Sequence, residues 1–212
     1  MVIDTAYGLI QAVDQADSPA KLLAAVHTLA QAKTEEGIPT LIKVLGYNNP
    51  GAAVAAVEGL VTMGAIAVPA LLEQIDGYNY GARAWAIRAL ARIGDPRALD
   101  MLADAAQRDF SLSVRRAAAR GLGSIQWSLL HEDVRPHAQA QALEILLAVS
   151  QDPEWVVRYA SVAGLQAIAP EFALPPLDPS HVIMAHLHQV AHQDAEPAVQ
   201  ARAVWAIQHL SA

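Results

Sequence analysis

Few residues in this 212-residue chain have the types and spacing that chemistry needs. His181, His186, His188 and His192 gather near the C-terminus, and His188 and His192, four apart, would share one face of a helix and could chelate a metal. No carboxylate or third ligand joins them in a recognisable motif, so the expected role is a polar helix face or part of an interface, with no metal. Asp194 and Glu196, which follow, read as a solvated turn. The second concentration runs from Asp76 to Arg88 and holds Tyr78, Tyr80, Arg83, Trp85 and Arg88. It offers guanidinium forks that pair with carboxylates, a carboxylate that accepts from N–H donors, and rings that pack on flat apolar bodies. Cysteine is absent, which removes disulfides, thiolate zinc sites and any thiol nucleophile on this chain. Thiol chemistry would need a partner's cysteine. The chain also has no glycine-rich phosphate loop, no Ser-His-Asp pattern with local context and no nucleotide fingerprint, which argues against a self-contained hydrolase or kinase.

The elements that must position these residues are written in a repeat. Val54–Gly64 has the same apolar spacing as Arg83–Gly94, Val114–Ile125 and Val157–Ile168, and a degraded copy, Ala201–Ile207, closes the chain. Taking Leu60, Leu90, Leu122 and Leu165 as equivalent gives spacings of 30, 32 and 43, near the period of HEAT-type helical pairs. The excess in the third spacing places an insertion around Gln126 to Pro136, where Trp127, His131 and Pro136 interrupt the small-residue rhythm before a helix from about His137 to Ser150. Pro39, Pro69 and Pro96 each stand near the expected start of a second helix, where a missing N–H costs nothing. The fold expected is therefore all-α, a HEAT-like solenoid of about five stacked hairpins. It reads as a single array over 1–212, with an N-terminal cap at 1–32, main repeats at 33–168 and a C-terminal repeat and cap at 169–212.

Composition agrees with that reading and narrows the function classes. A hydrophobic fraction of 54% with only 5% aromatic residues suits closely packed helices rich in Ala, Leu, Val and Ile. The net charge of −7 argues against nucleic-acid binding, which rests on clustered Lys and Arg. The longest charge-free stretch, Pro179 to Gln193, falls short of the roughly 20 apolar residues of a spanning helix, so no membrane partner is expected. Met1–Asp4 has no basic segment before an apolar one, which leaves a cytoplasmic location as the expectation.

Gly94–Leu99 joined to Val114–Ala119 closely resembles the HEAT-like repeats of the phycobilisome lyases. Asp76–Leu90 and Asp109–Gly123 look like the signature of the E/F-type bilin lyases within that family, and the short length is that of F-type subunits. The resemblance covers about Gly37 to Ile168, with its specific part between Asp76 and Gly123. It implies a heterodimer with an E-type lyase subunit that takes phycocyanobilin as substrate, with no permanently bound cofactor. It also implies attachment of the pigment's vinylic side group, through a thioether, to a cysteine of the phycocyanin α subunit. Some relatives also isomerise the bilin and carry a local His and Cys motif in the F-type subunit. This chain lacks Cys, so attachment without isomerisation is expected.

A bilin presents two propionates, a row of pyrrole nitrogens and a flat apolar body. The expected bilin and partner surface comprises Tyr78, Tyr80, Arg83, Trp85, Arg88, Asp109, Arg115 and Arg116. A competing role weighs equally for Arg83, Arg115 and Arg158: an arginine recurring near the start of the second helix commonly bonds an Asp or carbonyl of the adjacent repeat and forms a structural ladder. Arg88, Arg116, Tyr78 and Tyr80 do not recur and carry more of the functional weight. Trp85 and Trp205 fall at helical core spacings, where packing is the expected role ahead of a ligand shelf. The alternative to a lyase subunit is a non-catalytic scaffold or chaperone for phycobiliproteins or for phycobilisome turnover, or a general HEAT adaptor.

Overall fold

The computed structural model describes residues 6–73, 80–172 and 180–211, and among these there is no strand. They form two compact units, Met1–Ile93 and Gly94–Ala212. The first contains α1 (Ala6–Asp14), α2 (Pro19–Ala32), α3 (Ile38–Val44), α4 (Pro50–Met63), α5 (Val68–Glu73) and α6 (Tyr80–Ile93). Here α2 packs on α4 and α4 on α6, while the shorter α3 and α5 form a second row behind them. The second unit contains α7 (Leu99–Arg108), α8 (Leu112–Leu122), α9 (Arg135–Val149), α10 (Trp155–Ile168), α11 (Ser180–Gln193) and α12 (Pro197–Leu210). It repeats the plan: α8, α10 and α12 lie in one row, each paired with α7, α9 or α11 in the other. This is the HEAT architecture that the period demanded.

The aligned leucines explain the stacking. Leu60, Leu90, Leu122 and Leu165 are all fully buried, each closing the seam of its own hairpin. Burying such a side chain contributes about 1.5–3 kcal/mol, which one hairpin alone could not realise on both sides. Small residues set the spacing of the row. A Cβ on Gly59 would meet the Cβ of Ala30 at 2.6 Å, and one on Gly164 would meet Leu146 Cδ2 at 2.7 Å and the Ala119 carbonyl at 2.8 Å. The backbones approach too closely there for any side chain.

Local signals fix the helix ends. Ser18 accepts from the Lys21 N–H and caps α2. Asn49 accepts from the Ala52 N–H and donates its amide to the Pro19 carbonyl, so the cap of α4 also grips the start of α2. Pro39 and Pro69 stand in the first turns of α3 and α5 as their sequence context required. Pro96 differs: it opens a 3-10 turn capped by Asp95, and α7 begins only at Leu99. The stretch Pro50–Glu73 is long and apolar enough to cross a membrane by composition. Gly64, at φ 66°, interrupts its helix and separates α4 from α5.

The insertion is more ordered than its composition suggests. Trp127 is 1% exposed and fills the core, and Pro136 belongs to the first turn of α9, which starts at Arg135 ahead of the expected His137. The Gln126 N–H donates to the Gly94 carbonyl at 2.8 Å. Gly94 sits at φ 70°, and a Cβ there would strike the Ser124 carbonyl oxygen, so this junction requires glycine.

Candidate functional site

The recurring arginines resolve first. Arg115, in the first turn of α8, donates Nη1 back to the Asp109 and Phe110 carbonyls at 2.9 and 3.2 Å. Its Nε and Nη2 reach forward to both carboxylate oxygens of Asp152 at 2.7 and 3.1 Å. Arg158 repeats the pattern one hairpin on, donating to the Asp152 and Pro153 carbonyls and forking onto Asp194 at 2.8 Å twice. Asp109, Asp152 and Asp194 each also accept the N–H two residues ahead, at 2.8 Å, which rigidifies the three interhelical loops. The Arg115–Asp152 side chains are only 13% and 9% exposed. Bidentate geometry at that depth is strong, and the Arg158 guanidinium holds the Asp194 carboxyl below its ordinary range. Asp194, expected in a solvated turn, is therefore a buried structural acceptor, because the preceding repeat's arginine needs a counter-charge.

The ladder also ends by design of its residues. Gln200 stands six residues after Asp194, where Arg115 stands after Asp109 and Arg158 after Asp152. It donates to the Asp194 carbonyl at 2.6 Å, and as an amide it needs no carboxylate partner of its own.

The remaining expected site residues divide between the two units. Tyr78 lies outside the described residues. Tyr80 opens α6 and is 60% exposed, while Arg83, Trp85 and Arg88 are half-buried on the same helix. Arg88 stacks its guanidinium on the Trp85 ring, 4.5 Å from the centroid. In the second unit, Asp109 and Arg115 meet through the loop just described, and Arg116 is exposed on α8. The structure thus joins Trp85 with Arg88 and Asp109 with Arg115. It places Arg115 in the ladder.

A further cavity lies elsewhere on the second unit. A groove of about 750 Å³ runs over α8, α10 and α12, lined by Arg120, Tyr159, Gln166, Arg202 and Trp205 among others. Trp205 is 47% exposed at its edge, which corrects the expectation that it packs in the core. Its register explains the error. Counting two residues back from the aligned apolar position gives Glu58, Arg88, Arg120, Ala163 and Trp205, a column of outward-facing residues. Five back gives Ala55, Trp85, Ala117, Ala160 and Arg202. Helix α12 therefore carries the Trp85 and Arg88 pair with its members exchanged, and Arg202 stacks on Trp205 at 4.6 Å. Arg202 also lies 5.9 Å from the Tyr159 ring centroid and donates Nη2 to Gln166 Oε1 at 2.6 Å. Aligning the columns across all copies was the signal that could have found this face.

The histidines do other work. His186 Nε2 pairs with Ser150 Oγ at 2.7 Å between α11 and the end of α9, and burial pulls its pKa down. His188 and His192 are exposed, and no group of three or more potential metal ligands occurs among the described residues.

A family model described as HEAT repeats matches residues 68–166. The "Phycobilisome maturation protein" of Synechococcus elongatus is 53% identical over 96% of this chain and 97% of its own length. The "Phycocyanin alpha phycocyanobilin lyase CpcF" of Synechocystis is 48% identical over 95% of this chain and 92% of its own. Among solved structures, the complex of CpcE and CpcF of phycocyanin lyase from Nostoc superposes with a TM-score of 0.74 at 53% identity, covering 80% of this chain and 96% of the solved one.

Proposed function

This chain belongs to the F-type subunits of the phycocyanobilin lyases, and from that premise we infer that it holds phycocyanobilin, jointly with an E-type subunit, while a phycocyanin cysteine reacts. The observation that carries the reading is similarity to a CpcF lyase over nearly the whole length of both chains. The solved relative with the same fold was captured as a complex of CpcE and CpcF, which supports a heterodimer here.

The chemistry fits the residues present. Addition of a thiol across the vinylic side group forms one C–S bond, and the thiol proton ends on the pigment. No group leaves and no oxidant is consumed. The lyase needs no nucleophile of its own, consistent with a chain that contains no cysteine. What it must supply is a restrained pigment and a thiol held against it; such positioning alone can reach effective molarities of about 10⁵ M or more. Rigid stacked hairpins tied by the Arg–Asp ladder are suited to that task, since the binding face sits on helices and not on loops. Tyr80, Trp85, Arg88 and Arg116 are proposed contacts for pigment or protein partner.

Reconstitution tests the reading. This chain, an E-type subunit, phycocyanobilin and apo-phycocyanin α should give a fluorescent α subunit whose pigment stays attached after denaturation. The adduct should carry the spectrum of attached phycocyanobilin with no phycoviolobilin. A chain that binds apo-phycocyanin yet leaves the yield of attachment unchanged would be a scaffold, and phycoviolobilin in the product would show that isomerisation does not require a cysteine on this subunit.

A further inference from the structure

Four arginines of the second unit have a carboxylate in reach. Arg97 pairs with Asp95, Arg108 with Asp104, Arg115 with Asp152 and Arg158 with Asp194. Arg135 bonds the Leu130 carbonyl, and Arg202 is half-buried with no carboxylate partner among the described residues. Its hydrogen-bond partner is the neutral amide of Gln166, and its Nη1 is buried with no hydrogen-bond partner. The groove around it is lined by Arg120 as well and, among the described residues, by no Asp or Glu. In a chain of net charge −7, two guanidinium groups in one acid-free cavity are a local reversal of the overall field. Burial lowers the Arg202 pKa, and the Arg120 charge pushes the same way. A half-buried cation without a counter-ion costs free energy that an incoming anion would recover.

The remaining walls specify what else that anion must be. Tyr159 and Trp205 flank Arg202 with ring faces, and Ala163, Ala167, Ala198 and Ala201 supply a smooth apolar floor. A volume of about 750 Å³ lies within the usual range of roughly 300–1,000 Å³ for small-molecule sites. A compact inorganic anion would leave the aromatic and alanine surface unused. A flat conjugated molecule bearing a flexible carboxylate would use all of it.

We propose that the groove across α8, α10 and α12 seats one end of the bilin, with Arg202 and Arg120 clamping a propionate and Tyr159 and Trp205 packing on the adjoining ring. The proposal rests on the lyase reading above and assigns the carboxylate clamp to the second unit. Arg202 supplies the fork, and stacking on Trp205 and the Gln166 bond fix the plane of the guanidinium.

The test uses the assembled heterodimer with its E-type subunit, titrated with phycocyanobilin and with its dimethyl ester while visible absorbance is followed. The wild-type complex should bind the free acid about tenfold or more tighter than the ester, the scale of one charge-assisted carboxylate contact. Arg202→Gln and Arg120→Gln should each weaken the acid and leave ester affinity unchanged, collapsing the ratio; Arg202→Lys should restore part of it. Arg120 is exposed, so its variant reports on the groove even if a change at Arg202 disturbs α12. Wild-type discrimination between acid and ester in both glutamine variants would overturn the clamp while leaving the lyase reading intact. Loss of apo-phycocyanin binding with unchanged pigment affinity would overturn it too, assigning the arginines to a protein carboxylate. A wild-type complex that binds no bilin would sink the lyase reading and the clamp together.

Discussion

Two half-buried arginines of the second unit, Arg158 and Arg202, differ chiefly in what they face: Arg158 meets the Asp194 carboxylate and Arg202 the Gln166 amide. That difference separates a structural residue from a binding residue better than sequence position does. Replacing Arg158 by Gln should strand a nearly buried carboxylate and cost about 3 kcal/mol in denaturant unfolding. The pH dependence has a definite sign. Because Asp194 is held below its ordinary pKa, its contribution is complete above the unfolded value of about 3.9 and is lost as pH falls through the lower folded value. Acid titration of stability should therefore steepen in that window for the wild type and flatten for Arg158→Gln; parallel curves would remove Asp194 as the titrating group. The ladder was legible as one of two roles for a recurring arginine, because recurrence is visible in sequence. Which role applied was not, since the acceptors, Asp152 and Asp194, lie a full repeat away. Trp205 misled for a related reason: an aromatic within an apolar helix reads as core until its column is seen to hold Arg88 and Arg120.

Helices α4, α8 and α10 pack through glycines whose importance is set by neighbours. Gly164→Ala would drive a Cβ into both Leu146 and the Ala119 carbonyl, an overpacking that should cost about 1–3 kcal/mol. Gly51, at the start of α4, meets only ordinary contacts of 3.5 Å and beyond, so Gly51→Ala should be neutral or slightly stabilising. Thermal unfolding of both variants checks the contrast, and equal losses would refute the close-approach account. At this scale the hairpins were readable because leucine, glycine and proline recur with the period of the fold. The insertion was not: Gln126 to Pro136 has no counterpart copy, and nothing local reveals that Trp127 is swallowed by the core while Gly94 and Gln126 bond across it.

For the whole molecule, the division of labour follows from what the chain lacks as much as from what it has. Stacked hairpins and, within the second unit, a charge ladder and a groove lined by arginines suit a holder; the reacting thiol must come from another protein, because no cysteine is present here. The family was legible from Asp76 to Gly123, whereas the groove is built from α8, α10 and α12, mostly beyond that segment, where the sequence reads as generic repeat. The most direct measurement is a chase. The heterodimer is loaded with phycocyanobilin, free pigment is removed, apo-phycocyanin α is added, and each chain's mass is followed with time. The account predicts that the α subunit gains one pigment mass while this chain's mass never changes. Pigment covalently retained on this chain, or transfer at the same rate when this chain is left out, would contradict it.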